Sequence, residues 1–97
     1  MAGIVLITGS SRGIGAASAL LAAEKGWTVC VNYVSKADRA EAVVEKIRAD
    51  GGKAIAVQAD TAKEADVKRL FERVDADLGR LTALVNNAGI KIGRAHV

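Results

Sequence analysis

Gly9, Gly13 and Gly15 fall within seven positions of one another in the stretch Thr8-Gly9-Ser10-Ser11-Arg12-Gly13-Ile14-Gly15, which follows the apolar run Ile4-Val5-Leu6-Ile7. Glycines so spaced let a backbone turn sharply and approach a ligand with no side chain in between. The alanine-rich segment that follows reads as a helix, whose first amides are unpaired donors at the positive end of the helix dipole. An anion suits that place, and a diphosphate suits its size. A mononucleotide P-loop is the wrong reading, because it needs Gly-Lys-Ser/Thr after its last glycine and this chain has Ala16-Ala17-Ser18. Ser18 also takes the place of the third glycine or alanine of the G-x-G-x-x-G spacing, so the turn alone does not name its ligand.

The other groups capable of chemistry are few. Asn86-Asn87-Ala88-Gly89 lies about seventy residues downstream, after the apolar run Leu81 to Val85, and Asp60-Thr61 follows the run Ala54 to Val57. Cys30, between Val29 and Val31, reads as a small buried hydrophobe, and one cysteine makes no internal disulfide. No run approaches the length of a membrane span, and Met1 leads directly into a strand without the features of a signal peptide, so a cytoplasmic protein is expected. The net charge of +3 does not indicate a nucleic-acid partner. Two of the basic residues, Lys91 and Arg94, lie in the last seven positions, and the remaining charges alternate in sign along helical segments as on a solvated face.

Ninety-seven residues, 51% of them hydrophobic, allow one small packed domain. Ala40, Val43, Val44 and Ile47 repeat at helical spacing, as do Val67, Leu70, Phe71, Val74 and Leu78, so each set predicts one buried helix face. Ser35-Lys36-Ala37-Asp38 and Thr61-Ala62-Lys63-Glu64 have the form of capping boxes at the starts of these helices. Gly26, Gly51 with Gly52, and Gly79 mark helix ends. Between the helices lie apolar runs at Ile4 to Ile7, Thr28 to Tyr33, Ala54 to Val57, and Leu81 to Val85, continuous enough to be strands covered on both faces. The order β-α-β-α-β-α-β predicts an α/β fold: a parallel sheet of order 3-2-1-4 with flanking helices. Its ligand crevice lies at the carboxyl ends of strands 1 and 4, where the winding reverses. Strand 4 would then be an apolar edge, which predicts that the 97-residue chain alone folds poorly or self-associates.

Taken together, Thr8-Gly9-x-x-x-Gly13-x-Gly15 and Asn86-Asn87-Ala88-Gly89 closely resemble the motifs of the short-chain dehydrogenase/reductase family, over residues 1 to 90 and without obvious insertion. The branch of 3-oxoacyl-acyl-carrier-protein reductases and glucose-1-dehydrogenases looks nearest. The resemblance implies a partial Rossmann fold truncated after strand 4, with residues 1–90 as an NAD(P)-binding domain. It implies that Gly9, Ser11, Arg12, Gly13, Ile14 and Gly15 surround a cofactor diphosphate and that Asp60 contacts the adenine, followed by Thr61, which is equally readable as a helix cap. Asn87, Ala88 and Gly89 would lie beside the cofactor ribose and brace the central strands. A homo-oligomeric parent, dimer or tetramer, is implied as well.

At the end of strand 2 an NAD-selective fold places an Asp or Glu for the ribose hydroxyls, but this chain reads Asn32-Tyr33-Val34-Ser35-Lys36. Asn32, Tyr33, Ser35 and Lys36 are the cofactor candidates there. With Arg12 in the turn and Lys36 beyond the strand, the local charge is positive and suits a 2′-phosphate, hence NADP(H) in preference to NAD(H); a solvated helix start explains Lys36 as well. The family's catalytic Ser and Tyr-x-x-x-Lys pair lie beyond the NNAG motif. Tyr33 has Ala37, not lysine, four positions on, so no catalytic residue is assigned. After Ile90 the chain reads KIGRAHV. IGRAHV is the in-frame translation of ATCGGAAGAGCACACGTC, a widely used sequencing adapter, so 91–97 are read as a non-native tail and His96 receives neither a metal nor a catalytic role. The expected function is the cofactor-binding amino-terminal part of an NADP(H)-dependent oxidoreductase, inactive by itself, with no nucleic-acid or membrane partner and no metal. Two other classes stay open: a non-catalytic dinucleotide-binding or redox-sensing module, and a nucleotide-regulated interaction protein using the sheet edge.

Overall fold

The computed structural model describes residues 3–9 and 13–87. Ser11, Arg12, Ala88, Gly89 and the tail 91–97 lie outside the described residues. Strands β1 (Ile4–Ile7), β2 (Thr28–Tyr33), β3 (Ala54–Gln58) and β4 (Ala83–Val85) alternate with helices α1 (Gly13–Glu24), α2 (Ala37–Ala49) and α3 (Glu64–Asp77). All pairings are parallel, in the order β3-β2-β1-β4 that the alternation predicts.

The near-continuous hydrophobicity of the strands follows from burial on both faces. Val5, Ile7, Val29 and Val31 point to one face and pack with Ala19 of α1 and Ala40, Val44 and Ile47 of α2. Leu6, Cys30 and Val57 point to the other and pack with Leu70 and Val74 of α3. Each such valine, leucine or isoleucine contributes about 1.5–3 kcal/mol on burial. Small residues on the inner side of α1, Gly15 and Ala19, are buried and bring its first turn close to the sheet.

Three expectations need correction. Phe71 does not join the buried face of α3; it is 38% exposed, because no described element packs over that side of the helix. β4 is shorter than the apolar run and begins at Ala83. Before it, Thr82 N donates to Ile4 O at 3.0 Å and the Thr82 hydroxyl accepts from Ile4 N at 3.0 Å and donates to Ile4 O at 3.1 Å, so backbone and side chain together tie this residue to the start of β1. Neither capping box forms either. The cap positions are Lys36 and Lys63, and neither makes a side-chain cap bond. Ahead of α3 the reason is visible: Asp60 Oδ1 accepts Ala62 N at 2.9 Å, and Lys63 N donates to Asp60 O at 2.9 Å, forming a turn that holds Thr61 outside the helix. The helix ends behave as expected. At Gly51, φ is +89°, and Gly51 N and Gly52 N donate back to Arg48 O and Ile47 O at 3.0 and 2.9 Å, closing α2 with a left-handed residue.

Candidate functional site

The carboxyl ends of the strands bring Thr8-Gly9, Asn32-Tyr33, Asp60 and Asn86-Asn87 to one edge of the sheet, on either side of the β1/β4 junction where the winding reverses. Gly9 and Gly13 have φ of 61° and 63°, a conformation that a side chain would strain. A Cβ at Gly13 would meet nothing within 4 Å, so open space adjoins the turn. α1 opens there with no acidic residue in its first turn, and Ile14 is exposed and blocks nothing, while Gly15 is buried against the sheet. The donors and the positive helix end fit a diphosphate.

Polar side chains fasten this turn to the strands. Asn32 is fully buried, which no inspection of a strand written Thr-Val-Cys-Val-Asn-Tyr requires. Its Oδ1 accepts Gly9 N at 3.1 Å, and its Nδ2 donates to Val57 O at 3.3 Å and Ala59 O at 3.1 Å. One amide thus joins the glycine turn to the end of β3. From the other side Asn87 Nδ2 donates to Gly9 O at 3.0 Å. Thr8, also buried, donates through Oγ1 to Asn86 Oδ1 at 3.0 Å. The sequence reading left out Thr8 and Asn86 as site residues, although the first precedes the glycines and the second opens the asparagine pair.

The remaining candidates spread along the β2 and β3 ends. Tyr33 is half-buried against the cluster beneath α1 and α2. Ser35 and Lys36 are exposed at the start of α2, and neither ion pair among the described residues involves Lys36. Asp60 and Thr61 are half-buried. Asp60 N donates to Asp66 Oδ2 at 2.8 Å, and that bond, with the nearby Arg69 and Lys63, holds the Asp66 carboxyl below its ordinary value. Gln58 Nε2 donates to Val34 O at 3.1 Å and its Oε1 accepts from Arg69 at 3.3 Å, so α3, the end of β3 and the segment after β2 are linked. Neither Asp66 nor this linkage was legible in the sequence, since nothing in a helical charge pattern says which carboxylate turns back toward a preceding loop.

Among the described residues no three His, Cys, Asp or Glu side chains could share a metal ion, and no helix is long and apolar enough to cross a membrane. Burial pushes the Cys30 thiol up to about 12, as befits a packing residue with no chemistry.

The sequence model described as short chain dehydrogenase matches residues 3–96. A 3-oxoacyl-acyl-carrier-protein reductase of Staphylococcus epidermidis is 51% identical over 85 residues, covering 88% of this chain and 35% of its own. An uncharacterized oxidoreductase of Escherichia coli K12 is 49% identical over 87 residues, covering 90% and 35%. Among solved structures, a dehydrogenase/reductase from Sinorhizobium meliloti 1021 superposes with a TM-score of 0.86 at 40% identity, over 90% of this chain and 35% of that one. The chain spans about a third of the length of the curated relatives it matches.

Proposed function

Since the chain belongs to the short-chain dehydrogenase family, we propose that it is the cofactor-binding amino-terminal part of an NADP(H)-dependent oxidoreductase of the cytoplasm. The observation that carries this reading is the glycine turn, with φ of 61° at Gly9 and 63° at Gly13, tied by Asn32 and Asn87 to the strand ends and opening onto a helix start free of carboxylates. When bound, the dinucleotide supplies or accepts the hydride; the residues of this chain bind and orient it.

In this reading the turn amides and Arg12 hold the diphosphate. Asp60, with Thr61 beside it, receives the adenine, and Asn87, Ala88 and Gly89 lie along the ribose. The absence of Asp or Glu from Asn32 to Ala37, together with the exposed Lys36, supports NADP(H) over NAD(H). Tyr33 and Ser35 flank that position, and Asn32 serves the cofactor indirectly, through Gly9. Residues 1–90 form the cofactor-binding part, and the family match itself runs on to residue 96. These 97 residues contain no Tyr-x-x-x-Lys, so proton transfer to a carbonyl substrate is assigned to the rest of a longer, homo-oligomeric parent.

The test is cofactor titration of the full-length parent and its Arg12→Ala variant. A charge-assisted bond contributes about 1.5–3 kcal/mol, so NADPH should bind about ten- to a hundredfold more weakly and NADH much less so. Added salt should weaken NADPH more than NADH. Equal losses for both cofactors would refute 2′-phosphate selection through Arg12.

A further inference from the structure

We propose that Asp66 is a positioning residue for adenine recognition: it fixes Asp60 in place from the first turn of α3, and Arg69 and Gln58 extend that brace to the segment after β2. The inference rests on the reading of Asp60 as the adenine contact.

Asp60 is constrained at three of its polar atoms. Its N–H donates to Asp66 Oδ2 at 2.8 Å, its carbonyl accepts from Lys63 N at 2.9 Å, and its Oδ1 accepts from Ala62 N at 2.9 Å. Among the described residues Oδ2 of Asp60 has no hydrogen-bond partner, which leaves one anionic acceptor for a ligand donor such as an exocyclic amino group. Of the three constraints, only the bond to Asp66 reaches beyond the turn and anchors it to a regular element. Asp66 is itself held: Arg69, one helical turn on, lies 3.7 Å from its Oδ1 and also donates to Gln58 Oε1 at 3.3 Å. Gln58 in turn donates to Val34 O at 3.1 Å, two residues before Lys36. The carboxylate of Asp66 is 25% exposed, near enough to the interior to keep one orientation and outside any apolar cluster. A carboxylate at this place in a helix has an obvious local use, since it meets the positive helix end. That use explains its position in the first turn but not its bond to a backbone amide six residues earlier.

The experiment compares adenosine 2′,5′-bisphosphate with inosine 2′,5′-bisphosphate, which lacks the 6-amino donor, by calorimetric titration of the full-length parent. Asp66→Ala should lower the preference for the adenosine ligand by about two- to tenfold, the range of one hydrogen bond. Asp66→Asn, which keeps an oxygen for the Asp60 amide, should restore most of it. A helix-cap role alone would lower thermal stability and leave the preference unchanged, and that result overturns the proposal. Asp66→Glu keeps the charge at the helix start while displacing the acceptor; it should lower the preference in the same direction, and it decides the matter if the alanine variant does not fold. Asp60→Ala separates the two claims. If it leaves the preference intact, the reading of Asp60 fails; if it abolishes the preference while Asp66→Ala does not, only the positioning role fails.

Discussion

At the scale of single residues, the site depends on one amide more than on any charge. Asn32 sits among Val29, Cys30 and Val31 with no exposure, and it holds the amide of Gly9 and the carbonyls of Val57 and Ala59. Asn32→Ala strands three polar groups on two segments, so it should destabilise the fold by about 2–4 kcal/mol in a denaturant titration. Asn32→Asp cannot donate to the two carbonyls and should be no better. Cys30 makes a different residue-scale prediction. Its folded thiol is pushed up to about 12 from the ordinary 9.0, so the folded state keeps a proton that the unfolded chain releases in alkali. That contribution is complete below the unfolded value and is lost as the pH climbs toward the folded one. Wild-type stability should therefore fall more steeply than that of Cys30→Val between about pH 9 and pH 12, and the thiol should stay inert to alkylation until the protein unfolds.

At the scale of elements, helix ends were half legible. The glycines that close the helices follow from chain stereochemistry alone, and Gly26, Gly51 and Gly79 all have positive φ. Helix starts are set by competition among local hydrogen bonds, which is why a sequence box at Thr61 lost to the turn made by Asp60. Gly52 shows a constraint beyond local conformation. A Cβ there would come within 2.8 Å of Ile47 Cγ2 and 3.2 Å of Ile47 O, and Ile47 is a stiff, buried side chain. Gly52→Ala should thus cost about 1–3 kcal/mol by equilibrium unfolding, and pairing it with Ile47→Leu, which removes Cγ2 from Cβ, should reduce the cost in a double-mutant cycle.

At the scale of the whole molecule, the uneven cover of the sheet matters most. β1 and β2 are central and buried, whereas β4 pairs only with β1 among the described residues and leaves Leu84 and Val85 at 53% and 42% exposure. Ile14 and Leu21 on α1 are exposed as well. A sheet edge with apolar side chains and unpaired backbone groups recruits other chains. The purified 97-residue chain should self-associate with rising concentration in light scattering after gel filtration, and Leu84→Lys should reduce this. A monomer with a sharp cooperative thermal transition would contradict the expectation.

What the sequence determined by itself was everything governed by periodicity and by local stereochemistry. A strand buried on both faces must be apolar throughout, a helix buried on one face must repeat near every third or fourth residue, and a left-handed turn must be glycine. Strand order, the reversal between β1 and β4 and the place of the glycine turn follow from these with few alternatives. Tertiary structure decided which polar atoms meet across long sequence separations: Asn32 with Gly9 and Ala59, Thr8 with Asn86, and Gly9 with Asn87. It also decided that Phe71 stays exposed and that Asp66 turns back to Asp60. Such contacts leave no periodic trace, because each is a single hydrogen bond or a single uncovered face, fixed only when separate elements have packed.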